Sequence, residues 1–151
     1  VALVDDDDYE YLSQFDWQVA KHTQNCIYAK RGGTEKREIK MHRQIMGVTD
    51  PKVFIDHIDH NGLNNQKSNL RICTAAQNSA NKMAHKNSKS KYQGVTWDNR
   101  SQRWVVRIRI GGVCLYRKYI KDEIEAAKLY DEAAKIHHGE FANLNFPTSP
   151  L

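Results

Sequence analysis

Asp56 and His57 stand side by side in the run "VFIDHI", Asn69 follows His57 by twelve residues in "SNLR", and Asn78 comes nine residues later in "AAQNSANK". An imidazole with an ordinary pKa near ~6.5 exchanges protons around neutral pH, while a carboxylate and two amides offer oxygen donors. Neighbouring positions of an extended chain point to opposite faces, so Asp56 and His57 share a strand without sharing a face unless the chain bends. The intervening "HNGLNN" is dense in Gly and Asn, which is turn chemistry. The segment reads as strand, loop, strand and helix, carrying an acid, a base and two amides. Taken singly, each Asp and Asn reads more readily as a turn-builder, and it is their combined spacing that favours the chemical reading.

The elements around this segment fall into two regions. In the first, "DDDDYEYLSQF" places four acids ahead of Tyr9, Leu12 and Phe15 at helical spacing, with the negative charge at the favourable N-terminal end. That predicts a short helix. Residues 17–20, 26–30 and 38–41 carry β-formers and are parted by "HTQN" and "RGGTEKR", which predicts a small antiparallel sheet. "HRQIMG" then reads as a helical turn stopped by Gly47.

The second region begins after the polar, basic residues 83–89, which read as a linker. Residues 92–97, 103–110 and 113–120 alternate and are separated by "DNRSQ" and the two-glycine turn Gly111-Gly112, predicting three antiparallel strands. "KDEIEAAKLYDEAAKIHHGEF" follows, with Asp122 as N-cap, Glu125 three positions on, alanines and Tyr130 along one face, and Gly139 as the stop. In a plain hairpin, Val105, Arg107 and Arg109 share an exposed face with Cys114, Tyr116 and Lys118, and Val106, Ile108 and Ile110 face the helix. The expected class is α+β in two parts, residues 1–82 and 90–147, with a tail at 148–151. Nothing repeats between the halves.

Charge is distributed unevenly. Residues 1–82 hold 11 Lys/Arg and 11 Asp/Glu, whereas residues 83–151 hold 12 and 7, so the whole net charge of +5 lies in the second part. Such a basic part suits an anionic partner. Three cysteines, Cys26, Cys73 and Cys114, are widely spaced and odd in number, which supports neither a disulfide framework nor a zinc finger and fits a reducing, cytoplasmic setting. No apolar run reaches the ~18 to 20 residues of a membrane span, and no signal-peptide pattern is present. Because the chain opens at Val1 rather than Met, further sequence upstream is expected.

From His42 to about Asn81, the strings "MHRQIMG", "DHIDHNGLNN", "SNLRICT" and "QNSAN" resemble, in order and spacing, the HNH or ββα-metal nuclease motif of homing endonucleases from bacteria and their viruses. The resemblance implies a divalent-metal-dependent DNA endonuclease. It gives His57 the part of general base, Asp56 and Asn78 those of metal ligands, and Asn69 that of holding the histidine ring at Nδ1, leaving Nε2 to take a proton from water. One carboxylate and one amide oxygen suit Mg²⁺ or another hard cation such as Mn²⁺, which keeps several waters. His60 creates an Asp-His-x-x-His string that could suggest zinc, but without cysteine or helical spacing it reads better as a solvated turn residue or one touching phosphate. Arg71 is expected at a phosphate, with a local ion pair as its alternative.

Residues 90–147, from "SKYQGVTWDNRSQRW" to "GEFANLNFP", resemble the APETALA-type, ethylene-response-factor DNA-binding domain, a three-stranded sheet backed by one helix whose strands read the major groove. By strand position that resemblance implies base or backbone contacts from Arg107, Arg109 and Tyr116, with Gln93 and Thr96 standing where plant members often carry arginine; Lys118 on the same strand face, and the basic Lys89 and Lys91, are expected at the duplex as well. With one acid, one base and unlike halves, a monomer is expected to nick one strand, leaving 5′-phosphate and 3′-hydroxyl. A DNA-binding regulator with an inert nuclease half is the competing reading, and the intact acid, base and asparagine set argues against it.

Overall fold

The protein is described from a computed structural model covering residues 1–23, 26–33, 38–81 and 88–147, with the side chains of residues 22, 23 and 26 also set aside. Most of the expected linker, four residues of the "KRGGTEKR" loop, His85, the His22 side chain and the expected tail lie outside the described residues. The class is α+β, with three small antiparallel sheets and four α-helices among the described residues. Two compact units are formed, Val1–Ala75 and Ala76–Leu151.

In the first unit, helix α1 (Asp6–Leu12) has Asp6, Asp7 and Asp8 in its first turn, where the backbone N–H groups favour negative charge. Its N-cap residue Asp5 makes no side-chain bond to the helix. The Asp5 carboxylate instead accepts from Lys67 N at 2.8 Å, and Lys67 Nζ bonds to Asp8 at 2.8 Å. Strands β1 (Gln18–Thr23), β2 (Cys26–Gly32) and β3 (Glu38–Lys40) pair in sequence order, as the alternation predicts. Helix α2 (Met41–Ile45) follows directly and ends near Gly47, whose φ of 63° is one that glycine adopts without strain. Leu12, Ala29 and Met41 form the buried centre, with Val4, Trp17, Ile45 and Leu63 packed around it.

Strands β4 (Phe54–His57) and β5 (Leu70–Cys73) make an antiparallel pair in which Asp56 lies opposite Arg71 and His57 opposite Leu70. The loop between them is strapped by the N-terminal segment. Leu3 N donates to Leu63 O, and Asn65 N donates to Leu3 O, each at 2.8 Å. On its other side the loop presses Gly62 against β2, where a Cβ would fall 2.1 Å from Ile27 O and 2.7 Å from the Tyr28 ring. Only glycine permits that approach.

The second unit opens with α3 (Ala75–Ala80, its first residue closing the first unit) and contains the sheet β6 (Val95–Asp98), β7 (Arg103–Ile110) and β8 (Val113–Ile120), with α4 (Glu123–His138) across one face. Val95, Val106 and Ile108 meet Ala126, Ala127, Tyr130, Ala133 and Ala134 in one core. Each fully buried aliphatic of this kind contributes about 2 kcal/mol. The small alanines bring the helix close to the sheet. Asp122 caps α4 by accepting from Glu125 N at 2.7 Å, and Asp131, buried in the helix, accepts from Asn145 N and Phe146 N at 2.8 Å, fastening the following segment.

One expected face assignment is overturned. The Gly111-Gly112 turn pairs Ile110 with Val113 and Arg109 with Cys114, but the register then shifts so that Ile108 lies opposite Tyr116, Arg107 opposite Arg117, Val106 opposite Lys118 and Val105 opposite Tyr119. Leu115 is the extra residue of a β-bulge. One inserted residue reverses the parity of everything beyond it. Tyr116 and Lys118 therefore lie on the α4 side, with Tyr116 packed against the core, while Arg117 and Tyr119 join Arg107 and Arg109.

Candidate active site

His57 closes β4 and is buried, with 6% of its surface exposed. Its ring is surrounded by side chains from elements far away in sequence. His42 of α2 meets it at a centroid distance of 5.0 Å and an interplanar angle of 88°, and Tyr28 of β2 lies 5.7 Å away. Nε2 of His57, the nitrogen expected to be left open to water, instead faces Oδ1 of the buried Asn65 at 3.5 Å, the outer limit of a hydrogen bond. Asn65 is itself fully buried, donates to Leu63 O at 3.1 Å, and is held through its backbone by the Leu3 strap. Burial lowers the pKa of His57 below 6.5, against smaller raising effects from Asn65, Asp59 and Asp56, so the ring is neutral at neutral pH. A neutral imidazole is the form that accepts a proton.

Asp56 points to the opposite face of β4, as strand alternation requires. Its Oδ2 accepts from Arg71 Nε at 2.9 Å and Nη2 at 2.8 Å. Both side chains are largely buried, at 7% and 13% exposed, so this pair is charge-assisted and fixed in geometry. Arg71 thus takes up the ion pair that was the alternative to a phosphate contact. The pairing fixes the orientation of the Asp56 carboxylate.

Asn69, expected on the histidine ring, is engaged elsewhere. Its Oδ1 accepts from Asp59 N at 3.0 Å, and its Nδ2 donates to Asp59 Oδ1 at 2.9 Å and to Asn64 O at 2.8 Å. Its backbone carbonyl also accepts from Ile58 N. These bonds fasten the turn immediately after His57, and the Asp59 carboxylate that anchors them is held below the usual range. Burial alone would raise it, but donors from Asn64, Asn61 and Asn69 outweigh that. His60 adopts a φ of 62° within the same turn, consistent with a turn residue.

Residues 41–80 match the family described as HNH endonuclease. An uncharacterized HNH endonuclease of Acanthamoeba polyphaga mimivirus is 32% identical over 149 residues, covering 95% of this chain and 74% of that protein. The chain belongs to the HNH endonuclease family. Protein 3.8 of Escherichia phage T7 is 27% identical over 107 residues, 71% of this chain and 88% of that one. No solved structure matches.

As an HNH endonuclease, the protein is an enzyme that cuts DNA, and the donor set at its motif can be weighed for a cation. Among the described residues no three His, Cys, Asp or Glu side chains gather as a metal site. The carboxylate of Asp56 is a hard oxygen donor, a chemistry that fits Mg²⁺ or Mn²⁺ better than zinc, and Asn78 lies half-buried on α3 in the second unit. No helix among the described residues is long and apolar enough to cross a membrane.

In the second unit of this HNH enzyme, the β7 face carries Arg107 and Arg109 exposed, with Thr96 exposed on β6 and Arg117 and Tyr119 exposed on β8. Arg107 and Arg109 also edge a recess with Ser79, Gln93 and His138. The other expected DNA contacts have partners within the unit. Lys89 bonds to Asn99 Oδ1 at 3.0 Å, Lys91 lies over the Tyr92 ring, and Gln93 is bonded to Tyr130 and, through its backbone N, to Asn145. Arg117, Tyr119, Asn65, Tyr28 and His42 were not assigned to function from the sequence. Arg117 and Tyr119 were hidden by the bulge, and the other three contact His57 only through tertiary packing.

Proposed function

We propose that the chain is a divalent-metal-dependent endonuclease of duplex DNA that, acting as a monomer, nicks one strand and leaves a 5′-phosphate and a 3′-hydroxyl. The observation that carries this reading is His57, buried and neutral at the end of β4 and directly followed by a fastened turn. His57 takes a proton from water; the water oxygen forms a bond to phosphorus as the bond to the 3′ oxygen breaks, and that oxygen gains a proton from solvent. A Mg²⁺ or Mn²⁺ ion held by Asp56 and Asn78 would supply charge stabilisation at the phosphate and the leaving oxygen. The role of Asn78 rests on the sequence resemblance. Asn69 acts by holding the turn that follows His57, and Arg71 by holding the Asp56 carboxylate.

The second unit grips duplex DNA in this reading, in keeping with the likeness of residues 90–147 to the ethylene-response-factor domain. Arginines on an exposed strand face can read guanine or contact phosphate. Arg107, Arg109 and Arg117 supply that face, with Thr96 and Tyr119 beside them. Tethering the two activities raises the effective concentration of the cutting site at its target. The setting is intracellular, in keeping with the free thiols of Cys73 and Cys114 and with the viral relatives.

Cleavage of supercoiled plasmid with and without Mg²⁺ tests the reading. Open circles accumulating before linear DNA, dependence on the cation, and a loss of about 10² or more in His57→Ala are expected. Cleavage by His57→Ala at the parent rate, or linear product appearing directly with a rate rising as the square of enzyme concentration, would overturn it.

A further inference from the structure

We propose that His42 is a positioning residue for His57, forming with Tyr28 an aromatic cradle that fixes the orientation of the His57 ring. This rests on the reading of His57 as the base. The three rings come from α2, β2 and β4 and close on one another: His42 to His57 at 5.0 Å, Tyr28 to His42 at 5.3 Å, and Tyr28 to His57 at 5.7 Å. The two contacts of His42 are edge-to-face, an arrangement aromatic rings prefer at these distances, while Tyr28 is tilted by 38° to His57.

Packing alone does not account for a histidine here. His42 is buried, and its Nδ1 has no hydrogen-bond partner among the described residues. An unsatisfied buried ring nitrogen is unfavourable, and an aliphatic side chain would fill the space without it. What an aliphatic cannot supply is a flat ring set edge-to-face against His57, at an interplanar angle of 88°. Burial, then the neighbouring His57, Lys40 and Arg43, push the pKa of His42 down to about 3, so it packs against His57 as a neutral ring.

Tyr28 is well placed for the same task. The Gly62 backbone presses on its ring from the loop side, and Lys40 Nζ lies 5.1 Å from the ring centroid. The cradle therefore joins the first sheet, α2 and the loop after His57. It gives the region ahead of the HNH motif a part in catalysis by the base, without contact with the reacting atoms.

The experiment compares full-length His42→Leu, His42→Phe and Tyr28→Leu with the parent protein in steady-state nicking, alongside unfolding midpoints. We expect His42→Leu to lower kcat by about tenfold or more, with KM little changed. His42→Phe, which restores a neutral ring, should recover most of that loss even if its unfolding midpoint resembles that of His42→Leu. Tyr28→Leu should repeat the kcat effect and serves as the second variant if His42→Leu does not fold. An unchanged kcat in a folded His42→Leu or Tyr28→Leu protein, or equal losses in His42→Phe and His42→Leu, would overturn the proposal while leaving the base assignment intact. Parent-level activity in His57→Ala would overturn the base assignment itself, and the proposal with it.

Discussion

Replacing Asn69 with alanine removes three side-chain hydrogen bonds at once: one from Asp59 N, one to the Asp59 carboxylate and one to Asn64 O. A neutral hydrogen bond contributes about 1 kcal/mol net and one to a charged group about 1.5–3 kcal/mol, giving a ceiling near 5 kcal/mol. Asp59 is exposed, so water replaces part of what is lost, and the expected destabilisation is about 2–3 kcal/mol. Asn69 is buried and Asp59 N has the Asn69 side chain as its acceptor, so the change should also free that amide. The assay pairs urea unfolding with amide hydrogen exchange at Asp59 and nicking activity under folding conditions. Exchange at Asp59 should accelerate, stability should fall by the stated amount, and activity should fall with them, because the end of β4 is no longer fastened. Asn69→Asp keeps the acceptor but turns the two donor bonds into repulsions from an acid and a carbonyl, so it should do no better than alanine. Abolished cleavage with unchanged stability and unchanged exchange at Asp59 would refute this, and would place Asn69 on the histidine ring or the reacting phosphate.

Two further outcomes are expected. The folded pKa of His42, about 3, lies below the unfolded value of 6.5, so the unfolded chain binds more protons between those values and stability is lost as pH falls through that window; the loss from this residue should be about 2 kcal/mol at pH 5 relative to pH 8, and His42→Phe should flatten the pH dependence measured by urea unfolding. On the second sheet, Arg117→Ala should reduce the salt dependence of duplex binding by about one ion, while Lys118→Ala leaves the slope unchanged; the opposite pattern in a salt titration would restore the plain-hairpin register.

Much of this protein was legible locally. Helix α4 announces itself through Asp122, the alanine face and Gly139, because capping and a 3.6-residue period act within a few residues of one another. The strands of both regions follow from alternation and turn chemistry, and the HNH string is recognisable because its acid, base and asparagines are arranged along one short strand–loop–strand–helix segment. The family was readable for that reason.

What the tertiary structure alone decided lies in contacts between residues with no local signal connecting them. Tyr28, His42 and His57 belong to three elements, and nothing in the spacing of an aromatic in one strand and a histidine in a short helix predicts that their rings close on one another. The Leu3 strap likewise joins backbone groups some sixty positions apart and determines where Asn65 sits. Asn69 and Asn65 look interchangeable as sequence. Their partners differ because one projects into the Asp59 turn and the other into the buried side of His57. The face of β8 is the sharpest case: side-chain direction has a period of two, so the single extra residue at Leu115 moves every later side chain to the opposite face, and whether that residue bulges is decided by the packing of Ile108 and Tyr116 against α4 rather than by the alternation of the strand itself.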